Sequence, residues 1–172
     1  EISDINNASA VLGWDQQTYM PPMGAEARGQ AQGTLDKIAH EKFTSAEVGK
    51  LLDALEKQVG DWDADSDEAR LVAVTRRHFE KDTKVPSKMV SERAELTTMG
   101  NQAWQEARIN SEFSTFQPHL EKLVDWARRF AELYAPYDHV YDPMLDIYEP
   151  GMKAKDVKAI LDDIRPKQVD LI

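Results

Sequence analysis

Histidine and carboxylate spacing gives the first test for chemistry, and His40-Glu41 comes nearest to a metal motif. A zincin helix carries a second histidine four residues after the first, so that both imidazoles meet one metal while the glutamate activates a water. That position is Thr44. The pair reads as a surface His-Glu. His78, His119 and His139 are widely separated, and none has a second histidine four residues away. Each reads as a partly exposed surface side chain. Asp61, Asp63 and Asp65 alternate like the start of a calcium loop, but such a loop needs glycine at its sixth position and glutamate at its twelfth. Ser66 and Val72 stand there instead. The run reads as an acidic helix entry, with Ser66 as cap and Asp67 and Glu68 at the positive end of the helix dipole.

Asp142, Asp146 and Glu149 form the remaining cluster, with Tyr141 and Tyr148 among them. They suit either the polar wall of a groove or a buried hydrogen-bonded corner joining two halves. No Gly-x-Ser-x-Gly elbow, phosphate loop or dinucleotide fingerprint occurs. The chain has no cysteine, which removes disulfides, thiolate metal sites and a cysteine nucleophile and suits a reducing cytoplasm. No paired metal ligands and no catalytic motif are therefore expected among these residues.

The elements that would position such groups are helical throughout. Ile2, Ile5, Ala8 and Leu12 recur at helical spacing. Pro21 and Pro22 end that helix, and Pro22 suits the first turn of the next. Trp14 and Tyr19, just before this rigid corner, are expected to be largely buried. Ala31, Leu35 and Ile38 mark one stripe of the second helix, while Ala25, Gly29 and Gly33 give a small-residue face for close packing. Ser45 caps a helix with Val48, Leu51, Leu52, Leu55 and Val59 inward. Leu71, Val72, Thr75 and Phe79 mark the next. Pro86 opens a long helix with Met89, Leu96, Met99, Ala103 and Ala107 inward. Phe116, Leu120, Leu123, Ala127, Phe130 and Tyr134 follow at four-three spacing, closed by Pro136. One short helix is expected around Met144 to Tyr148. A last helix carries Val157, Ile160, Leu161 and Ile164, which Pro166 should kink or shorten. No stretch alternates long enough for a strand. The expected class is all-α, with about six to eight helices and residues 1–172 as a single helical region.

Charge and hydropathy narrow the partners. A net charge of −10 repels phosphate backbones and no basic patch offsets it, which argues against nucleic-acid binding. No apolar run approaches the roughly 20 residues of a membrane-spanning helix, and no signal peptide is visible. The first residue is Glu1, inside an apolar helical pattern, and the last, Val169 to Ile172, lie inside another. The expectation is a piece of something longer.

Trp-Asp-Gln-Gln-Thr-Tyr-Met-Pro-Pro at 14–22, followed by Gly24 to Arg28, resembles the N-terminal signature of the carboxypeptidase Taq family of zinc peptidases. The resemblance continues at Ala39-His40-Glu41, at Thr83 to Pro86, and in Ala103-Trp104, Ala107-Arg108, Phe113, Phe116, Pro118 and Leu120. It is strongest at Tyr141-Asp142, Leu145-Asp146 and Tyr148 to Met152. It implies an all-helical fold with a deep groove, usually a homodimer, that removes C-terminal residues from peptides with one zinc or cobalt ion. The family's ligands come from a His-Glu-x-x-His helix and a later glutamate, and neither lies in these residues. The chain would thus be the N-terminal third, capping and walling the groove, inactive alone and binding no metal itself. Trp14, Asp15, Tyr19, Arg28, Tyr148 and Glu149 match the signature without an assigned role, and no substrate-binding residue can be named. A helical interaction or oligomerisation module that has kept the family sequence without catalysis is the alternative. One departure stands out: Lys153 follows Met152 where the family places a threonine able to cap the next helix. Lysine cannot accept helix N–H groups, so that helix is expected to be frayed or shifted at its start.

Overall fold

The computed structural model describes residues 1–60, 62–169 and 171. Asp61, Asp170 and Ile172 lie outside the described residues. Among the described residues there are eight α-helices and no strand: α1 (Ile2–Thr18), α2 (Ala25–Phe43), α3 (Ala46–Val59), α4 (Asp67–Asp82), α5 (Ser87–Asn110), α6 (Phe113–Glu132), α7 (Asp142–Leu145) and α8 (Ala154–Val169). A 3-10 turn, Pro22–Gly24, leads into α2. The chain divides into two units, Glu1–Leu123 and Val124–Ile172.

In the first unit the main packing is α2 on α5, followed by α1 on α2 and α3 on α4. The cause of the first is the face Ala25, Gly29 and Gly33, all buried. A Cβ on Gly33 would sit 3.0 Å from the Ser91 carbonyl oxygen, and one on Gly29 would sit 3.3 Å from the Glu95 Cα. Backbone lies against backbone here, and only glycine admits it. The expected stripe of Ala31, Leu35 and Ile38 is not the buried one: Ala31 and Ile38 are exposed and Leu35 is half-buried. The small face wins because it lets α5 approach closer than leucine or isoleucine would allow. On α5 the buried line is Met89, Ala94, Thr98, Gly100, Ala103 and Ala107, with Leu96 and Met99 only half-buried.

Ser45 and Ser66 act as the caps their type suggests. Each hydroxyl oxygen accepts a helix N–H, from Val48 at 3.4 Å and from Ala69 at 3.3 Å. Leu52 and Val72 are buried, whereas Leu51 and Leu71 are exposed, so each inward stripe is narrower than its apolar residues imply. Gly49 admits the Phe79 ring, which meets Phe43 edge-on at 6.2 Å between centroids. Ser111 ends α5 at φ 54°, a left-handed conformation that costs a side-chain-bearing residue about 1 kcal/mol. Ser111→Gly is therefore expected to raise stability by about 0.5–1 kcal/mol in urea denaturation.

In the second unit the core is aromatic. Trp126, Phe130 and Ala131 are buried; the Trp126 and Phe130 rings stack at 5.2 Å, and Tyr134 meets Phe130 at 5.1 Å. The helix α6 stops at Glu132 rather than at Pro136, so Tyr134 packs from the turn beyond it. The short helix lies earlier than expected, at Asp142–Leu145, because Pro143 suits a first turn. Pro166 does not shorten α8, which continues to Val169. The proline removes only the donor to the Asp162 carbonyl, in a stretch whose surface is exposed on every side.

Candidate functional site

The corner between α1 and α2 is held by Arg28, one turn inside α2. Its guanidinium donates to the Leu12 carbonyl and to the Asp15 carboxylate, and only 16% of its side chain is exposed. The amides of Tyr19 and Met20 both donate to the Asp15 carbonyl at 2.9 Å. Gln102 of α5 donates to the Pro22 carbonyl at 2.6 Å. Asp15 and Arg28, read from sequence as signature positions, are thus ion-pair partners across the corner.

This clamp overturns the expectation for the aromatics. Trp14 is 59% exposed and Tyr19 75% exposed. Leu12 and Asp15 present their groups toward α2, and Trp14, about 100° around the helix from Asp15, points away. Its ring meets Tyr19 edge-on, at 5.5 Å between centroids. Truncating an exposed ring away from such features changes stability by less than about 0.5 kcal/mol, so Trp14→Ala should leave the thermal midpoint almost unmoved.

Behind the corner, still within the first unit, residues of α1, α2 and α5, together with Asp82 of α4, line an open groove of about 760 Å³. Gln16, Gln32, Asp36, His40, Arg93 and Thr98 line it. The Ser9 hydroxyl donates to Asp36 at 2.8 Å, and the Gln32 amide donates to that hydroxyl at 2.5 Å and to the Ser9 carbonyl at 3.2 Å. With its amide nitrogen so committed, Gln32 leaves its Oε1 buried and without a hydrogen-bond partner among the described residues. Burial pushes the Asp82 carboxyl above its usual range, against the opposing pull of His40, His78 and Lys81.

His40 is not the surface side chain expected. It is half-buried, with Nε2 2.8 Å from the Val85 carbonyl oxygen. A carbonyl only accepts, so Nε2 carries the proton and the ring's remaining lone pair is on Nδ1. His40 therefore ties α2 to the turn before α5. Thr44, where a second ligand would stand, spends its hydroxyl on the His40 carbonyl at 2.8 Å. His78 and His139 are exposed and His119 is half-buried. Among the described residues no three of His, Asp or Glu converge on a common point. The described residues do not assemble a site that fits a metal ion.

The acidic run before α4 behaves as a helix entry where it is described: Asp63 accepts the Asp65 amide at 3.0 Å, and Asp65 pairs with Arg70 at 2.6 Å. Asp61 lies outside the described residues.

Of the two readings for Asp142, Asp146 and Glu149, the structure gives a hydrogen-bonded turn inside the second unit. Asp142 is buried, at 3% exposure. One of its oxygens accepts the Ala154 amide at 2.8 Å and the other the His139 amide at 3.2 Å, with the Lys153 ammonium 3.7 Å away. Asp146 accepts the Gly151 amide at 2.6 Å, where Gly151 takes φ 84°. Tyr148 and Glu149 are exposed. Asp142 also answers the departure at Lys153: α8 is not left frayed, because a carboxylate twelve residues upstream takes the place of a local cap, and Asp156 accepts the Lys153 amide at 3.3 Å. A search confined to the residue before the helix cannot find such a cap.

The Ala154 amide, more than any other group, holds the Asp142 carboxyl below the usual carboxylate range, with help from the His139 amide and Lys153. A lowered folded value means stability that is present above the unfolded value of about 3.9 and is lost as pH falls toward the folded one. Helicity should therefore drop below about pH 4 in part through α8. Asp142→Asn should flatten that acid limb, and Asp142→Ala should fray α8 at neutral pH, both followed by circular dichroism.

The sequence profile of the carboxypeptidase Taq (M32) metallopeptidases matches residues 1–172. The chain belongs to that family. It is 30% identical over 171 residues to Carboxypeptidase 1 of Bacillus subtilis, and 33% identical over 168 residues to Thermostable carboxypeptidase 1 of Pyrococcus furiosus. These alignments take in 99% and 98% of this chain but 34% and 33% of the relatives. The chain thus spans about a third of the length of the curated relatives it matches. Among solved structures, the BsuCP crystal structure superposes with a TM-score of 0.88 at 30% identity, over 96% of this chain and 33% of that one. The Pyrococcus furiosus carboxypeptidase structure gives 0.76 at 33% identity, over 99% and 34%. Over the third of those chains that it matches, this chain shares their helical fold, and the family's members are metallopeptidases by its own description.

Proposed function

We propose that residues 1–172 are the N-terminal helical region of a metal-dependent carboxypeptidase, capping and walling the groove in which peptides lose their C-terminal residues. The observation that carries this reading is the match to the M32 family along the whole of this chain, against only a third of relatives named as carboxypeptidases. In such an enzyme a zinc or cobalt ion, held by residues other than these, would supply Lewis acidity for the hydrolysis. The residues here contribute no step through that ion. Their part is structural: Arg28 and Asp15 fix the corner, and Trp14, Tyr19, Tyr148 and Glu149 are signature side chains left on the surface. A cytoplasmic location accords with the absence of cysteine, and a homo-oligomeric enzyme acting on peptides is part of the same proposal.

A chimera tests it, with residues 1–172 replacing the matching third of Bacillus subtilis Carboxypeptidase 1. Metal-dependent release of C-terminal residues from a peptide is expected. A folded chimera without activity would favour a helical interaction module instead.

A further inference from the structure

The helix α8 is amphipathic, with Val157, Ile160, Leu161 and Ile164 at the spacing of one helical face. Yet from Lys158 to Val169 every residue is exposed, Leu161 by 58% and Ile160 by 48%. The polar side is already satisfied within the helix, since Lys158 pairs with Asp162 at 2.5 Å and Lys167 with Asp163 at 2.7 Å. A 16-residue helix is marginal in water without a packed face. The apolar stripe is what remains without a partner among the described residues.

The family match bears on what could cover it. Similarity to the Bacillus subtilis protein takes in 99% of this chain, so it includes α8, while two-thirds of that relative lie outside the match. We infer that the face formed by Ile160, Leu161 and Ile164 docks onto the remaining two-thirds of an M32 chain, as a core contact between the N-terminal region and the rest of the fold. This rests on the reading of residues 1–172 as the N-terminal region. It adds the face through which that region is held.

The test uses the same chimera, with unfolding followed by circular dichroism rather than by activity. In the isolated chain, Ile160→Asp should leave the thermal midpoint within about 1 °C, because the site is exposed. In the chimera the same change buries a charge and should speed thermal unfolding on the order of a hundredfold. Ile164→Ser should act in the same direction more weakly, and Asp162→Asn on the opposite side should be silent in both proteins. Equal unfolding rates for the chimera and its Ile160→Asp variant would overturn the inference, whether or not the chimera is active. So would a dimer of the isolated chain that Ile160→Asp disperses, since the face would then belong to a second copy. An inactive chimera that still shows the differential sensitivity would support the docking face while removing the catalytic reading.

Discussion

Gly33→Val is expected to destabilise the Glu1–Leu123 unit by about 3 kcal/mol, enough to unfold most of it under mild denaturation. A Cβ there would lie 3.0 Å from the Ser91 carbonyl oxygen and 3.3 Å from the Ser91 Cα. Those are backbone atoms of α5, and they cannot swing aside as a side-chain tip can. The two helices would have to separate along their main contact, and forced overpacking of this kind typically costs about 1–3 kcal/mol or more. Gly33→Ala should lose less, since alanine regains up to about 1 kcal/mol of helix propensity. Gly13 provides the contrast: it lies inside α1, and among the described residues a Cβ there would meet no packed neighbour within 4 Å. Gly13→Ala should therefore stabilise by about 0.5–1 kcal/mol. Urea titrations of the three variants decide the matter, and a neutral Gly33→Val would mean that α2 and α5 are not in close contact.

Trp126→Ala should have the second large effect, about 3–5 kcal/mol against the Val124–Ile172 unit. The ring is 6% exposed and stacks on Phe130 at an interplanar angle of 20°. Its removal leaves a void beside the Phe130 ring. Loss of near-ultraviolet dichroism together with a lower urea midpoint is the expected signature. A midpoint shift equivalent to less than about 1 kcal/mol would show that the stack contributes little.

Features decided within one turn of chain were legible in the sequence. The Ser45 and Ser66 caps, the helix opening at Pro86 and the small face of α2 depend on local residue type, and each appears in the fold. Features decided by a distant partner were not. Burial at Trp14 turns on where Arg28 reaches, and the start of α8 turns on Asp142, twelve residues before it. His40 looked like a surface histidine because its partner, the Val85 carbonyl, lies 45 residues on. The stripe through Leu123, Ala127 and Phe130 omitted Trp126, which sits three residues after Leu123 and four before Phe130 and so belongs to the same, wider face. For the site, the signature positions could be found by resemblance, while the pairing of Asp15 with Arg28 needed coordinates.

The most direct measurement of the central claim is a peptidase assay on the purified chain itself. A peptide with a free C-terminus and the same peptide with a C-terminal amide would be incubated with the chain and zinc or cobalt, and metal retention measured after dialysis. Neither peptide should be shortened and no ion should be tightly held, because no ligand set converges among the described residues. Release of C-terminal residues from the free peptide alone, with one ion retained per chain, would contradict the assignment of catalysis to residues outside this region.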